Sequence, residues 1–486
     1  MRLETLLQEI EYECVQGSLD KEIRALVYDS RKVQQGSVFV CIRGMNYDGH
    51  DYVKEVVSKG AVAVVVEREI EKMPETVTVI QVRDTRYALA FLSASWFSHP
   101  ADKLKIIGIT GTKGKTTTTY MVKSILEAAG RKVGLIGTIE SIIGESHKPS
   151  ANTTPESYIL QETFKDMVEA GLDTVVMEVS SQALKLHRTQ GFVFDYGIFT
   201  NLEPDHIGPG EHESFEEYAA CKGLLFKQCR VGIINGDDTH AQAILAGHTC
   251  KVITYGLKEG NDLQATALSL SHRPGALGVC FETKGLLQSS IEVSSPGQFS
   301  VYNALTAIAI CLQFGVPKEA IQKALLEVKV KGRIEMVKVS EDFTFLIDYA
   351  HNAMALKSLL VTLREYQPHR LICLFGCGGN RSKIRRYEMG EVSGTLADLT
   401  IITSDNPRFE EPMDIIEDIK TGIRKTEGKY LAICDRKEAI RYAISHGEKG
   451  DIIVLAGKGH EDYQEIKGVK YPMDERELIR QILAGE

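Results

Sequence analysis

The sequence lacks any apolar run approaching the roughly eighteen residues that a membrane helix needs, so no membrane span is expected. Its first residues carry Arg2, Glu4 and Glu9 and hold no continuous apolar core. No secretory signal is read there, and a cytoplasmic setting is expected. An excess of positive charge is also missing: the net charge is −9. That argues against a nucleic-acid or anionic-membrane partner. Anionic small molecules stay open, because a local cluster of Arg, Lys and Mg²⁺ outweighs a distant negative surface. The ten cysteines show no paired spacing of the kind that frames a zinc site. Cys373 and Cys377 are near each other, but no second pair or His accompanies them. Others sit inside apolar segments (Cys41, Cys280, Cys311), which suits reduced core thiols. Internal repeats, low-complexity tracts and long linkers are absent as well. At 486 residues the chain exceeds one core, and two to four domains are expected.

What is present is a phosphate loop. Leu104 to Ile109 reads as a buried strand, and Tyr120 to Ala129 repeats apolar residues at helical spacing before Gly130. Between them stands Gly108-Ile109-Thr110-Gly111-Thr112-Lys113-Gly114-Lys115-Thr116-Thr117-Thr118. A strand, a glycine loop and a helix in that order let backbone N–H groups converge on an anion at a helix N-terminus. Lys115 suits the terminal phosphates, and the Thr116 hydroxyl suits Mg²⁺. The pattern departs from Gly-x4-Gly-Lys-Thr, because Ile109 stands where the first glycine belongs. A variant nucleotide loop is therefore expected.

The organisation is α/β in three blocks, taken as domains 1–102, 103–330 and 331–486. In the first, Val38 to Ile42 and Ala61 to Val66 read as strands around a helix from Val53 to Lys59. In the second, Val133 to Ile136, Thr174 to Met177, Phe194 to Phe199 and Val231 to Ile234 are strands separated by helices. That alternation implies a mainly parallel sheet covered on both faces. Residues 260–295 read as an antiparallel β insert, and Val301 to Phe314 as a helix. The third block alternates the strands Phe343 to Ile347, Leu371 to Phe375, Leu399 to Thr403, Tyr430 to Ile433 and Ile452 to Leu455 with helices. It reads as a doubly wound, Rossmann-like domain.

Open α/β sheets bind ligands at the C-terminal ends of their strands. Five ends of the third block carry polar residues: Asp348 to His351, Gly376 to Arg381, Ser404 to Arg408, Asp435-Arg436, and Gly457 to Glu461. Each alone reads as a turn with solvated charge; five on one rim point to a binding face. In the second block, Glu178 and His206 follow strands that should end beside the phosphate loop. Both are candidate Mg²⁺ ligands, although Mg²⁺ prefers oxygen and His206 reads equally well as a loop residue. Lys222 by itself reads as a helix-surface lysine.

The chain resembles the Mur ligase family along essentially its whole length. Thr110 to Thr117 looks like the family's phosphate-loop signature. Asp29-Ser30-Arg31 and Asp48-Gly49-His50 look like its UDP-sugar domain. Asn152-Thr153-Thr154-Pro155 and Met177 to Ser181 look like its central substrate segments. Tyr302-Asn303, Gly332-Arg333-Ile334-Glu335 and Asp348 to His351 resemble its nucleotide contacts. The segment Asp405-Asn406-Pro407-Arg408, with Gly457 to Glu461, matches members that add meso-2,6-diaminopimelate. Leu186 departs from a glutamine common in the family, Ala353 from a proline, and 207–212 from the usual sequence.

The resemblance implies an ATP-dependent amide ligase of peptidoglycan synthesis. UDP-N-acetylmuramoyl-L-alanyl-D-glutamate would be activated as an acyl phosphate, with ADP and phosphate as products. It implies Lys115, Lys222 and His206 as catalytic residues. ATP contacts would come from Gly111, Thr112, Lys113, Gly114, Lys115, Thr116, Thr117, Asn303, Arg333 and Asp348. Ser30, Asn152, Thr153, Thr154, Ser180 and Arg188 would hold the UDP-linked dipeptide. Arg381, Asp405, Asn406, Pro407, Arg408, Gly457 and Glu461 would hold diaminopimelate. Thr116, Glu178, His206 and a carbamate on Lys222 would serve Mg²⁺. The distal amino-acid head of diaminopimelate demands a cation for its carboxylate and an anion for its ammonium. Arg408 and Arg381 supply the first, and Glu461 the second. Closure of the last domain and a monomeric state are expected. Alternatives are a lysine-adding or folylpolyglutamate synthase-like ligase, which Arg408 disfavours, or a non-catalytic nucleotide-binding paralogue.

Overall fold

The computed structural model describes residues 1–485 apart from 45, 46, 209 and 274. The chain forms two compact units, residues 1–262 with 306–317 and residues 263–305 with 318–486.

The first unit holds two sheets. The amino-terminal sheet runs in the order Glu13–Gln16, Thr78–Gln81, Ala61–Val66, Ser37–Val40, Ala25–Val27. Only the Glu13–Gln16 edge is antiparallel. Ala61–Val66 is almost wholly buried, as its unbroken apolar run requires of a strand covered on both faces. The central sheet places Lys105–Thr110 between Phe194–Phe199 and Thr174–Glu178. Cys229–Asn235 and Lys251–Gly256 continue it on one side and Val133–Ile136 on the other, all parallel. Two antiparallel strands, Glu140–Ile143 and Ser146–Pro149, finish that edge. Beneath the sheet, Ile106, Met177, Phe194, Phe199 and Tyr218 belong to one buried cluster. The parallel register sets the strand ends at Thr110, Glu178 and Phe199 side by side, which is what the site requires.

In the second unit, Leu263–Arg273, Ala276–Gly285 and Ser289–Val293 pair antiparallel, as the alternating sequence implies. The carboxy-terminal sheet runs Glu335–Val337, Thr344–Asp348, Ile452–Ala456, Leu371–Phe375, Leu399–Ile402, Tyr430–Ala432. All but the first are parallel. Its three central strands are buried nearly end to end. A short hairpin, Tyr463–Ile466 with Val469–Pro472, follows. The helix Pro412–Ile423 begins with proline at its first turn, where a missing N–H costs nothing, and buries Ile415, Ile416, Ile419 and Ile423. The strand at Tyr430 is shorter than its apolar run, ending at Ala432, where Cys434 and Asp435 turn the chain into a helix capped by Asp435.

Candidate active site

The phosphate loop forms as its glycines dictate. The strand extends through Ile109 to Thr110, so the loop opens at Gly111. Ile109 is fully buried and belongs to the strand, which explains the missing glycine. Gly111 has φ +149°, and a Cβ there would lie 1.9 Å from Thr200 Oγ1. The helix Lys115–Ala128 starts behind Gly114. Lys115 Nζ donates to the carbonyls of Gly111 at 2.9 Å and Thr112 at 3.1 Å. The neighbouring strand end buttresses the loop. Lys113 N donates to Asn201 Oδ1 at 2.9 Å, and Thr200 Oγ1 donates to Lys113 O at 2.7 Å.

Glu178 is 1 % exposed and gathers oxygen chemistry around itself. Its Oε1 accepts from Thr116 Oγ1 at 3.0 Å and Thr138 N at 2.8 Å, and its Oε2 from Thr138 Oγ1 at 3.0 Å. A hard, oxygen-only donor pair at a helix N-terminus fits Mg²⁺. His206 does not join this group. It sits on an exposed loop at φ +53°, with Nδ1 3.1 Å from Glu211 Oε1. Thr154 Oγ1 donates to Glu178 O at 2.9 Å and accepts from Ser180 N at 3.0 Å. Thr153 meets Thr138 at 3.0 Å, and Arg188 Nη1 donates to Thr154 O at 3.2 Å while pairing with Glu156. Asn152 is exposed, and Ser30 lies on a short turn after Asp29 in the amino-terminal region; among the described residues no side-chain hydrogen bond or ion pair joins either of them to this cluster.

Lys222 differs from its surface reading. The helix Phe215–Gly223 turns it inward, leaving it 1 % exposed. Its Nζ donates to Gly111 O at 2.9 Å and lies 4.4 Å from the Tyr218 ring centroid. Burial, and then the charge of Lys115, hold its ammonium well below the usual lysine range. Burial thus disfavours the charged form of an amine that stands beside the phosphate loop.

In the second unit, four of the five polar strand ends meet around a cavity of about 160 Å³. Tyr349 and His351, Gly376 to Gly378 with Arg381, Asp405, Asn406 and Arg408, and Gly457 and Glu461 line it, together with Arg385. Two of the loops touch backbone to backbone: a Cβ on Gly379 would lie 1.9 Å from Pro407 O. Pro407 contributes that contact and does not line the cavity. The fifth end does another task. Asp435 caps a helix, and the buried Arg436 donates to the carbonyls of Ser404 and Ala456 while pairing with buried Glu475 at 2.8 Å. It ties two lining strands together from behind.

Asp348 is half-buried, accepts from Ile334 N and Ala350 N at 2.8 Å each, and has its carboxyl pushed up by desolvation. The Arg333 guanidinium lies 4.8 Å over the Tyr349 ring. His460 packs tilted against the same ring, and burial, with the charge of Arg333, lowers it to about 4. Asn303 is buried on the helix Gln298–Gln313. Sequence reasoning missed Arg385, Glu465 and Arg386. The Arg386 guanidinium, 1 % exposed, binds Glu410 and Asp418, and Glu410 accepts from Asn380 N. Only its place three residues before an apolar position on a helix hinted at burial.

Comparison with known proteins gives this geometry a family. Residues 109–311 match the Mur ligase middle domain, 332–459 the Mur ligase glutamate ligase domain, and 22–96 the Mur ligase family catalytic domain. The chain is 45% identical over 485 residues to UDP-N-acetylmuramoyl-L-alanyl-D-glutamate–2,6-diaminopimelate ligase of Caldanaerobacter subterraneus subsp. tengcongensis, covering 100% of this chain and 99% of that one. It is 40% identical over 490 residues to the ligase of the same name from Geobacillus thermodenitrificans, covering 99% of each. A solved structure of a protein so named aligns with a TM-score of 0.74 and 27% identity, covering 100% of this chain and 99% of the other. The chain belongs to the Mur ligase family.

Proposed function

We propose that this protein is an ATP-dependent amide ligase that joins meso-2,6-diaminopimelate to UDP-N-acetylmuramoyl-L-alanyl-D-glutamate in peptidoglycan synthesis. The choice of amine is carried by one observation: Arg408 and Glu461 line the same cavity as Arg381, Asp405 and Asn406. That set complements a carboxylate and an ammonium on one carbon. A site built around Arg408 discriminates against lysine, which offers no carboxylate to the edge of the guanidinium that Glu465 and Gly379 do not occupy.

In this reading residues 1–102 bind the UDP-sugar, with Ser30 among the contacts, 103–330 activate the acid, and 331–486 hold the amine. The phosphates of ATP take the loop Gly111 to Thr117, with Lys115 leaving its loop carbonyls for the γ-phosphate. Asn303, Arg333 and Asp348 contact the rest of the nucleotide. Thr116 and Glu178 hold Mg²⁺, which when bound neutralises charge on the transferring phosphoryl group. His206 would have to give up its hydrogen bond with Glu211 to serve there. The side-chain carboxylate of the D-glutamate, held by Asn152, Thr153, Thr154, Ser180 and Arg188, attacks the γ-phosphorus, and ADP leaves. The deprotonated amine of diaminopimelate then attacks the acyl carbon, and the tetrahedral intermediate expels phosphate. CO₂ adding to the Lys222 amine, with a proton released to solvent, would give a carbamate, an anionic oxygen ligand that would hold a second Mg²⁺ beside the acid.

The test is ADP release by purified protein with the UDP-linked dipeptide, bicarbonate and a panel of amines. Release with diaminopimelate at a far higher kcat/KM than with lysine is expected. Release with lysine but not diaminopimelate overturns the specificity.

A further inference from the structure

The Gly457 to Glu461 segment contains a lysine that the proposed chemistry leaves without a task. Lys458 is fully buried. Its ammonium donates to Asn406 Oδ1 at 3.0 Å, Glu461 Oε2 at 3.1 Å and the Tyr463 carbonyl. Three donors meet three acceptors, so none remains for a ligand. Asn406 Nδ2 reaches the same Glu461 oxygen at 2.9 Å. Oε2 is thus doubly bound, while Oε1 takes no hydrogen bond from a described residue.

Arg408 repeats the arrangement with the charges exchanged. Its Nε donates to Glu465 Oε2 at 3.0 Å and its Nη1 to Gly379 O at 2.7 Å, and its Nη2 has no hydrogen-bond partner among the described residues. The hairpin strand that carries Glu465 also grips the Arg408 backbone. Arg408 N donates to Glu465 O at 3.0 Å, and Lys467 N donates to Arg408 O at 2.7 Å. Each recognition side chain is therefore held by a counter-ion through one edge and presents the other. A long, flexible side chain held this way has lost its rotamer freedom before the ligand arrives, which favours binding.

We infer that Lys458 and Glu465 are positioning residues that set amine specificity, Lys458 aiming Glu461 at the distal ammonium and Glu465 aiming Arg408 at the distal carboxylate. The inference rests on the diaminopimelate reading above. It assigns the two halves of the distal group to two separable devices, so two analogues dissect it. 2-Aminopimelate keeps the distal carboxylate and lacks the ammonium; L-lysine keeps the ammonium and lacks the carboxylate.

The experiment measures kcat/KM for the three amines with wild type, Lys458→Met and Glu465→Gln. Lys458→Met is expected to lose about 10²-fold with diaminopimelate and under about threefold with 2-aminopimelate, because an aimed charge pair is lost only where the ammonium exists. Glu465→Gln is expected to lose about tenfold with diaminopimelate and under about threefold with lysine, since a charged hydrogen bond becomes a neutral one. KM for ATP stays unchanged in both. Equal losses across all three amines mean a merely structural role and overturn the inference. Should the buried Lys458→Met fail to fold, Glu465→Gln, only partly buried, decides between the same two outcomes. A wild type that releases no ADP with diaminopimelate removes the functional reading and this inference together. A wild type that does so, with uniform losses in the variants, removes this inference alone.

Discussion

The phosphate loop and the strand-end cavity solve binding differently. The loop is seven contiguous residues, Gly111 to Thr117, whose backbone N–H groups and helix N-terminus would do the work, with one lysine folded onto its own carbonyls. The cavity is built from four strand ends spread between Tyr349 and Glu461, and its proposed working groups are side chains. Backbone recognition needs only the right dihedrals, so glycines dominate it. Side-chain recognition needs every charge aimed, so counter-ions dominate it. The first device suits a ligand common to many enzymes, and the second a ligand particular to few.

Substitutions that strike one device and spare the other sharpen this contrast. The largest effect is expected from Lys115→Ala. It should lower kcat by about 10³-fold or more by removing charge stabilisation of phosphoryl transfer, while calorimetry still detects diaminopimelate binding. A parallel loss of amine binding would break the separation. Arg408→Lys comes next. An ammonium cannot replace the planar fork, and kcat/KM for diaminopimelate should fall about 10²-fold with KM for ATP unmoved. Gly379→Ala pushes a methyl against Pro407 O and should cost about 1–3 kcal/mol. That cost is expected as a lower melting temperature and a raised KM for the amine only. The smallest effect concerns Lys222. Its folded pKa lies below its unfolded one, so the unfolded chain binds more protons between the two. Without CO₂, stability should rise with pH toward 10.5, by at most about 1.4 kcal/mol per pH unit, and fall as pH drops toward the folded pKa. Thermal melts of Lys222→Met should lack that slope; an unchanged slope would place the titration elsewhere.

The same contrast decides what the sequence revealed. The phosphate loop and the strands at Phe194–Phe199, Leu371–Phe375 and Ala61–Val66 were legible, because backbone rules act over a few residues. The convergence of four strand ends followed from parallel topology. The Asp435-Arg436 end was misread as part of the binding face, since a buried Arg paired with Glu475 looks the same in sequence as a solvated one. By itself Lys222 read as a surface group for a similar reason, and only the family resemblance set it in the site. Its inward turn depends on Tyr218 and the loop carbonyl of Gly111, more than one hundred residues away. The Glu465 clamp was invisible because its carboxylate lies on an ordinary hairpin. Partners fixed by tertiary packing leave no local trace.

The backbone of Arg408 has a consequence for how amine choice drifts over generations. It holds φ +53°, a left-handed conformation with both peptide groups tied to the hairpin. Any replacement inherits that conformation. β-Branched residues are the worst placed there, and Gly or Asn the easiest. Descent from one amine to another is thus channelled through a few unbranched side chains at this position, whatever the new substrate would prefer.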